Sequence, residues 1–287
     1  MTAYDELHRH FARIGDLEHA AAIVSWDEAA MMPKGGGHAR GQAMATLGVT
    51  VHEMTVDSRI GDWLDAAAAQ NDLSDWQRAN VREIRRVHEQ ATCVSAELVE
   101  AKSLATARCE QAWRESRADN DWETMAPLLE AVVAVVRDEA AMRADATGLG
   151  HYDALLDTYE PDMRAAQVET LFAELKDFLP DFAREVMARQ AEEPAVALPG
   201  PFPVERQREL GLAMMTTLGF DFDRGRLDVS HHPFCGGVPD DVRITTRYDE
   251  STFAPSLMAV LHETGHAMYE QGLPADWRGQ PVGEALS

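Results

Sequence analysis

Leu261-His262-Glu263-Thr264-Gly265-His266-Ala267-Met268-Tyr269-Glu270 is the stretch from which the rest of this 287-residue chain can be read. It lies in a segment, 254 to 271, with helical spacing, Pro255 in its first turn and Gly272 just past its end. On a helix, a spacing of four places His262 and His266 on one face, one turn apart, so both imidazoles can reach one metal ion. Imidazole nitrogen is a good Zn²⁺ ligand, and two such ligands with a third donor and a water give an open catalytic geometry. Glu263 sits beside the first histidine, placed to take a proton from an activated water and pass it to a leaving amine. Phe253, Leu257, Val260 and Leu261 make the first turns apolar, which predicts a buried helix. Gly265 costs about 1 kcal/mol relative to Ala inside a helix, and close approach by a neighbouring backbone would explain it.

The pair needs a third ligand. Downstream acids are Glu270, Asp276 and Glu284. Glu270 is one turn further along the same helix and points past the metal. Glu284 lies in Pro281-Val282-Gly283-Glu284-Ala285-Leu286-Ser287, which reads as the start of a helix. Such a helix would stop after one turn, without a cap.

Working outward, residues 1–190 are almost continuously helix-like. Leu7, Phe11 and Ile14 repeat at helical spacing, as do Val81, Ile84, Val87 and His88. Ser74 and Gln77 form a predicted capping box. Further helices are expected over about Met125 to Ala146, ending at Gly148 and Gly150, and over about Ala165 to Gln190. Residues 191–203 hold Pro194, Pro199, Pro201 and Pro203 and read as a loop. A helix from about Val204 to Leu218 follows. Residues 227–248 then turn β-branched, and Gly236-Gly237 and Pro239-Asp240 separate two strand-like runs. We expect a small antiparallel sheet there. The fold class is mainly α: a region 1–190 forming a groove wall, the Pro-rich loop 191–203, and a region 204–287 that opens the catalytic part, in one continuous fold.

Composition narrows the function. The chain has 26 Lys+Arg against 49 Asp+Glu, a formal net charge of -23, so a phosphate backbone would repel it and no nucleic-acid partner is expected. A signal-type apolar run at the N-terminus and an aliphatic stretch long enough to span a bilayer are both missing from the sequence, so neither secretion nor a membrane partner is expected. Cys93, Cys109 and Cys235 are odd in number and show no CxxC spacing, which fits reduced, buried thiols in a cytoplasmic protein.

Further segments carry a resemblance. Trp26-Asp27-Glu28, Met32-Pro33, Gly35-Gly36 and Arg40 form an early signature. Tyr152-Asp153-Ala154-Leu155-Leu156 with Tyr159-Glu160-Pro161 forms another. His232-Pro233-Phe234 makes an HPF motif, and Asp241, Arg243 and Thr245 a DxRxT motif. With the HExxH helix, these resemble the carboxypeptidase Taq family of zinc carboxypeptidases along nearly the whole chain. The resemblance implies a helical, two-lobed metallopeptidase with a deep groove, Zn²⁺ (replaceable by Co²⁺) on His262 and His266, and Glu263 as base. It implies peptide substrates trimmed one residue at a time from the C-terminus with broad side-chain preference. It also implies a groove lined by His232, Pro233, Phe234, Asp241, Arg243 and Thr245, and homodimers as the common assembly. Members run to about 500 residues, and their third ligand is a Glu in an HES motif a few residues beyond the position of Ser287. This chain therefore reads as an N-terminal fragment with its C-terminal part missing, inactive alone, and Glu284 as a residue behind the ligands rather than one of them.

Two other readings stay open on the residues alone. One is a helical interaction or scaffold protein with a half-built metal site. The other is a thermolysin-like endopeptidase with Glu284 as third ligand. Arg243 could hold a peptide carboxylate, but an ion pair with Asp241 or Asp240 is favoured.

Overall fold

The computed structural model describes residues 1–193 and 198–284. Pro194 of the Pro-rich loop, and Ala285 to Ser287 of the expected terminal helix, lie outside the described residues.

Thr2 and Asp5 cap each other reciprocally, at 2.8 and 3.2 Å, and start helix α1 (Ala3–Ala30). Its apolar residues fall on one face, so Tyr4, Leu7, Phe11 and Ile14 are buried together. After α2 (Gly37–Thr55), they meet Ile60, Leu64 and Ala67 of α3 (Arg59–Ala68) and Val81 and Ile84 of α4 (Asp75–Thr92) in a first core. The capping box of α4 is present, with Ser74 Oγ accepting from the Gln77 N–H and Gln77 Oε1 from the Ser74 N–H. Helix α5 (Ala96–Asp119) packs on α2, α6 (Trp122–Thr147) packs on α5, and α7 (His151–Leu156) packs on α6. Helix α8 (Ala165–Glu192) follows and buries none of its residues.

The second core is built on α9 (Val204–Leu218), three strands β1 (Gly225–Val229), β2 (Phe234–Val238) and β3 (Asp241–Thr246), and α10 (Ala254–Gly272). Met215, Phe220, Leu227, Val242, Ile244, Val260 and Ala267 fill it. Separate cores in the two regions agree with a two-lobed body.

The sheet is mixed rather than antiparallel. Its order is β1-β3-β2, with β1 parallel and β2 antiparallel to β3. The glycines Gly236 and Gly237 lie within β2, and the turn is made at Pro239-Asp240. The reason lies in side chains. Val242 and Ile244 are fully buried, so β3 takes the centre, whereas glycine-rich β2 has little to pack and is left at the edge. Gly237 holds φ +85°, and a Cβ there would collide with the Asp241 carbonyl, which fixes the tight hairpin.

Two attachments join the lobes. Helix α1 lies against β2, and the turn Pro281–Gly283 lies against α4. A Cβ on Gly15 would come 2.6 Å from the Gly279 Cα, so only glycine lets α1 approach the segment after α10 this closely. A buried polar knot finishes the join. Asn80 Nδ2 donates to Gln280 Oε1 at 2.9 Å, Gln280 Nε2 donates to the His8 carbonyl at 2.9 Å, and the Val282 N–H donates to Asn80 Oδ1 at 3.3 Å. Asn80 and Gln280 are both 0% exposed.

Candidate metal site and groove

Helix α10 presents two faces. Ser256, Val260, Glu263, Thr264, Ala267 and Gln271 point into the core, while His262, Gly265, His266, Met268 and Tyr269 are exposed. The helix is therefore half buried, with its histidines on the open side. A Cβ on Gly265 would meet nothing within 4 Å, so close backbone approach does not account for that glycine. The helix is anchored at its start. Gln207 of α9 donates to the Phe202 and Asp249 carbonyls at 2.8 Å each and accepts from the Ser256 hydroxyl at 2.7 Å. Near its end, Gln271 accepts from the Asp221 N–H at 3.0 Å and donates to the Asp221 carbonyl at 2.9 Å.

The two imidazole rings lie edge to face, 4.9 Å apart at 82°, and their Nε2 atoms are 3.2 Å apart. Bonds of about 2.05 Å at a tetrahedral angle hold two ligand nitrogens about 3.3 Å apart. The pair thus has the separation one shared cation requires. Glu263 is 8% exposed, one residue round the helix towards the sheet. Among the described residues, no group of three His, Cys, Asp or Glu side chains could hold a metal ion, so the pair lacks a third donor there.

The HPF and DxRxT segments meet at Thr245. Its hydroxyl is fully buried, accepts from the Phe234 N–H at 3.1 Å, and lies 2.7 Å from Ser230 Oγ and 3.3 Å from the His232 carbonyl. Arg243 makes a two-pronged pair with Asp241, at 2.9 and 2.7 Å, which holds the Asp241 carboxyl below its usual range. The guanidinium also lies 4.3 Å from the centre of the Trp26 ring, and Arg226 lies 5.6 Å from it. Asp241, Arg243 and Thr245 are thus occupied by partners inside the fold. His231 and His232 are exposed and, with Trp113, Arg114, Arg117 and Phe234, line a recess of about 490 Å³.

A second cleft, about 540 Å³, runs between α1, the β2–β3 turn and the segment after α10. Glu18 and Glu284 line it, reachable by water but enclosed by protein walls. Burial, and then the Glu284 carboxylate, push the Glu18 carboxyl up to about 7. Glu284 is raised by burial and by Glu270, and Glu270 by burial against the opposing pull of Arg278 and His266. Beneath the helix, burial with Glu270 and Glu263 nearby pushes the Cys235 thiol up to about 12. All three cysteines are free thiols.

Sequence reasoning did not find Glu18, Ser230, Asn80 or Gln280. Each acts through a partner distant in the chain or in an unremarked loop, and no spacing announces it.

The geometry is that of a helical body with two histidines one turn apart on the exposed face of one helix, their Nε2 atoms 3.2 Å apart. The chain belongs to the carboxypeptidase Taq (M32) metallopeptidase family, whose model matches residues 6–287. It is 37% identical to thermostable carboxypeptidase 1 of Thermus thermophilus over 297 residues, covering 99% of this chain and 58% of that protein. It is 30% identical to carboxypeptidase 1 of Bacillus subtilis, covering 96% of this chain and 55% of that protein. The structure of Trypanosoma cruzi metallocarboxypeptidase 1 superposes with a TM-score of 0.88 at 40% identity, covering 99% of this chain and 57% of that one. The chain therefore spans less than three fifths of the length of these relatives. Membership in a metallopeptidase family implies a divalent metal. Among the described residues, no helix is long and apolar enough to cross a membrane.

Proposed function

We propose that this chain carries the first two metal ligands and the base of a zinc carboxypeptidase that releases single residues from peptide C-termini. The observation that carries the reading is the 3.2 Å separation of the His262 and His266 Nε2 atoms on the exposed face of α10. These imidazoles would hold Zn²⁺, with a third donor supplied from outside the described residues. Bound there, Zn²⁺ supplies Lewis acidity, polarising a carbonyl oxygen and lowering the pKa of water. Glu263 accepts the proton of the attacking water and returns it to the leaving amine. The Thr245 network holds the His232-Pro233-Phe234 segment in place at the rim, where these residues would contact the peptide. Arg243 acts there through Trp26 and Asp241 rather than as a free carboxylate clamp. The relatives are named carboxypeptidases, which favours trimming from the C-terminus over internal cleavage and over a purely structural role.

The test uses the protein expressed from its own gene and loaded with zinc. Release of free C-terminal amino acids from N-blocked peptides should fall about 10²–10⁴-fold in Glu263→Gln, with zinc content unchanged. Hydrolysis retained in that variant contradicts the assignment.

A further inference from the structure

The recess of about 490 Å³ beside His231 and His232 lies where the middle of α5 meets the end of α1 and the loop between β1 and β2. Its two arginines differ in what holds them. Arg114 is committed to the fold, donating to the Glu28 carbonyl at 3.0 Å and to Glu110 at 2.7 Å. Arg117 is exposed and makes no ion pair among the described residues; its guanidinium lies 5.2 Å from the centre of the Trp113 ring. A guanidinium held on an indole keeps its N–H fork for a carboxylate.

The recess continues on both sides. It shares Arg114 and His231 with a hollow of about 440 Å³ that adds Lys34 and Arg108, and shares Trp113 and Arg117 with one of about 330 Å³ walled by Trp122, Met125 and Leu129. Arg108, like Arg117, is exposed and makes no ion pair among the described residues. Together the walls carry four Lys and Arg side chains and three Asp and Glu, where the whole chain has 26 against 49. Those three acids have partners already. Glu110 pairs with Arg114, Glu115 with Lys34 at 3.8 Å, and Asp121 accepts from the Thr124 N–H at the start of α6. A space of this size suits a ligand far larger than one inorganic ion. Joined hollows with arginine forks in one part and tryptophans in the next fit an extended chain.

The trough is also close to the histidine helix. Successive residues of a strand face opposite ways. In β2, Phe234 lines the recess, whereas Cys235 packs into the second core with Val260 and Ala267 of α10. One strand therefore separates the trough from α10.

We infer that this trough binds an acidic, extended stretch of peptide, with Arg117 gripping one of its carboxylates and Trp113 and Trp122 receiving a neighbouring apolar side chain. The inference rests on the carboxypeptidase reading only for calling that peptide a substrate, bound upstream of the bond to be cut.

The experiment measures the fluorescence anisotropy of a labelled peptide of alternating glutamate and phenylalanine with the 287-residue chain. A metal chelator is present, and salt is at about 0.15 M to screen distant charges. The peptide should bind at least about tenfold more tightly than its glutamine analogue. Arg117→Glu should weaken it at least about tenfold and Arg108→Glu at least about threefold. Both side chains are exposed, so helicity by circular dichroism should be unchanged. Arg208→Glu, exposed on α9, should change binding less than about twofold. No binding by the unsubstituted chain, equal affinity for the two peptides, or indifference to Arg117→Glu overturns the inference. So does half-displacement by inorganic phosphate at a concentration below the peptide's dissociation constant. No metal or hydrolysis enters these readouts. A trough that binds the peptide in a protein that fails to hydrolyse any peptide stands, and only the carboxypeptidase reading falls.

Discussion

Asn80→Leu is expected to loosen the segment that follows the histidine helix, at a cost that can be worked out from the polar knot. The Asn80 side chain is fully buried and links α4 to residues 280–282. Leucine branches at the same carbon and is somewhat larger, so no cavity is created. What changes is hydrogen bonding. Gln280 Oε1 loses its 2.9 Å donor, and the Val282 N–H loses its 3.3 Å acceptor. A buried polar group left without a partner costs about 1–3 kcal/mol. The second bond is longer and only partly buried, so the sum is about 2–4 kcal/mol. Urea unfolding followed by circular dichroism reads this directly as a lower midpoint at unchanged slope. The double variant Asn80→Leu/Gln280→Leu sharpens the test. Removing both partners takes away the stranded acceptor, so the double variant should lose at least about 1 kcal/mol less than the sum of the two single changes. A loss below about 0.5 kcal/mol for Asn80→Leu, or strict additivity in the pair, would refute the claim that this knot holds the lobes together.

Three further expectations follow from the groove. The Glu18 carboxyl is raised to about 7, so the folded state binds its proton more tightly than the unfolded chain does. Its ionisation therefore removes stability as pH rises from the ordinary carboxyl range through about 7, and Glu18→Gln should raise the melting temperature at pH 8 but not at pH 4.5. With its thiol pushed up to about 12, Cys235 should resist alkylation by iodoacetamide at pH 8 in the folded protein and react on unfolding; rapid labelling of the native protein, mapped by mass spectrometry, would contradict this. Arg243→Ala removes both the Asp241 pair and the guanidinium on Trp26, and should cost about 1–2 kcal/mol with a shift in tryptophan emission. Arg243→Lys should recover only part, because an ammonium cannot reproduce the two-pronged geometry.

How much of this was written in the sequence differs from element to element. Helices were legible wherever a local cap met a periodic apolar face, as with Ser74, Gln77, Val81 and Ile84. The histidine pair was equally legible, because a four-residue spacing on a helix dictates neighbourhood by itself. The sheet was half legible. Its location followed from β-branched residues, but strand order depends on which strand the surrounding helices bury, and no local pattern around Gly236 and Gly237 encodes that. The knot of Asn80 and Gln280 joins residues 200 positions apart, and its parts are ordinary polar residues in isolation. The charge of -23 argues against a nucleic-acid partner but did not foretell that Glu18 and Glu284 would line one cleft. For Arg243 the sequence favoured an ion pair with Asp241 or Asp240 over a substrate clamp, and the fold gives its guanidinium to Asp241, with Trp26 beside it as a partner the sequence did not announce.

The central claim is that His262 and His266 share one divalent ion. Zinc titration of the protein against a competing chromophoric chelator tests it most directly, with the unsubstituted chain, His262→Ala, His266→Ala and Glu263→Gln measured side by side. The account predicts that the two histidines of this chain hold zinc weakly, that either histidine variant holds it at least about tenfold more weakly still, and that Glu263→Gln leaves the affinity unchanged. Zinc bound equally well by His262→Ala or His266→Ala would contradict it.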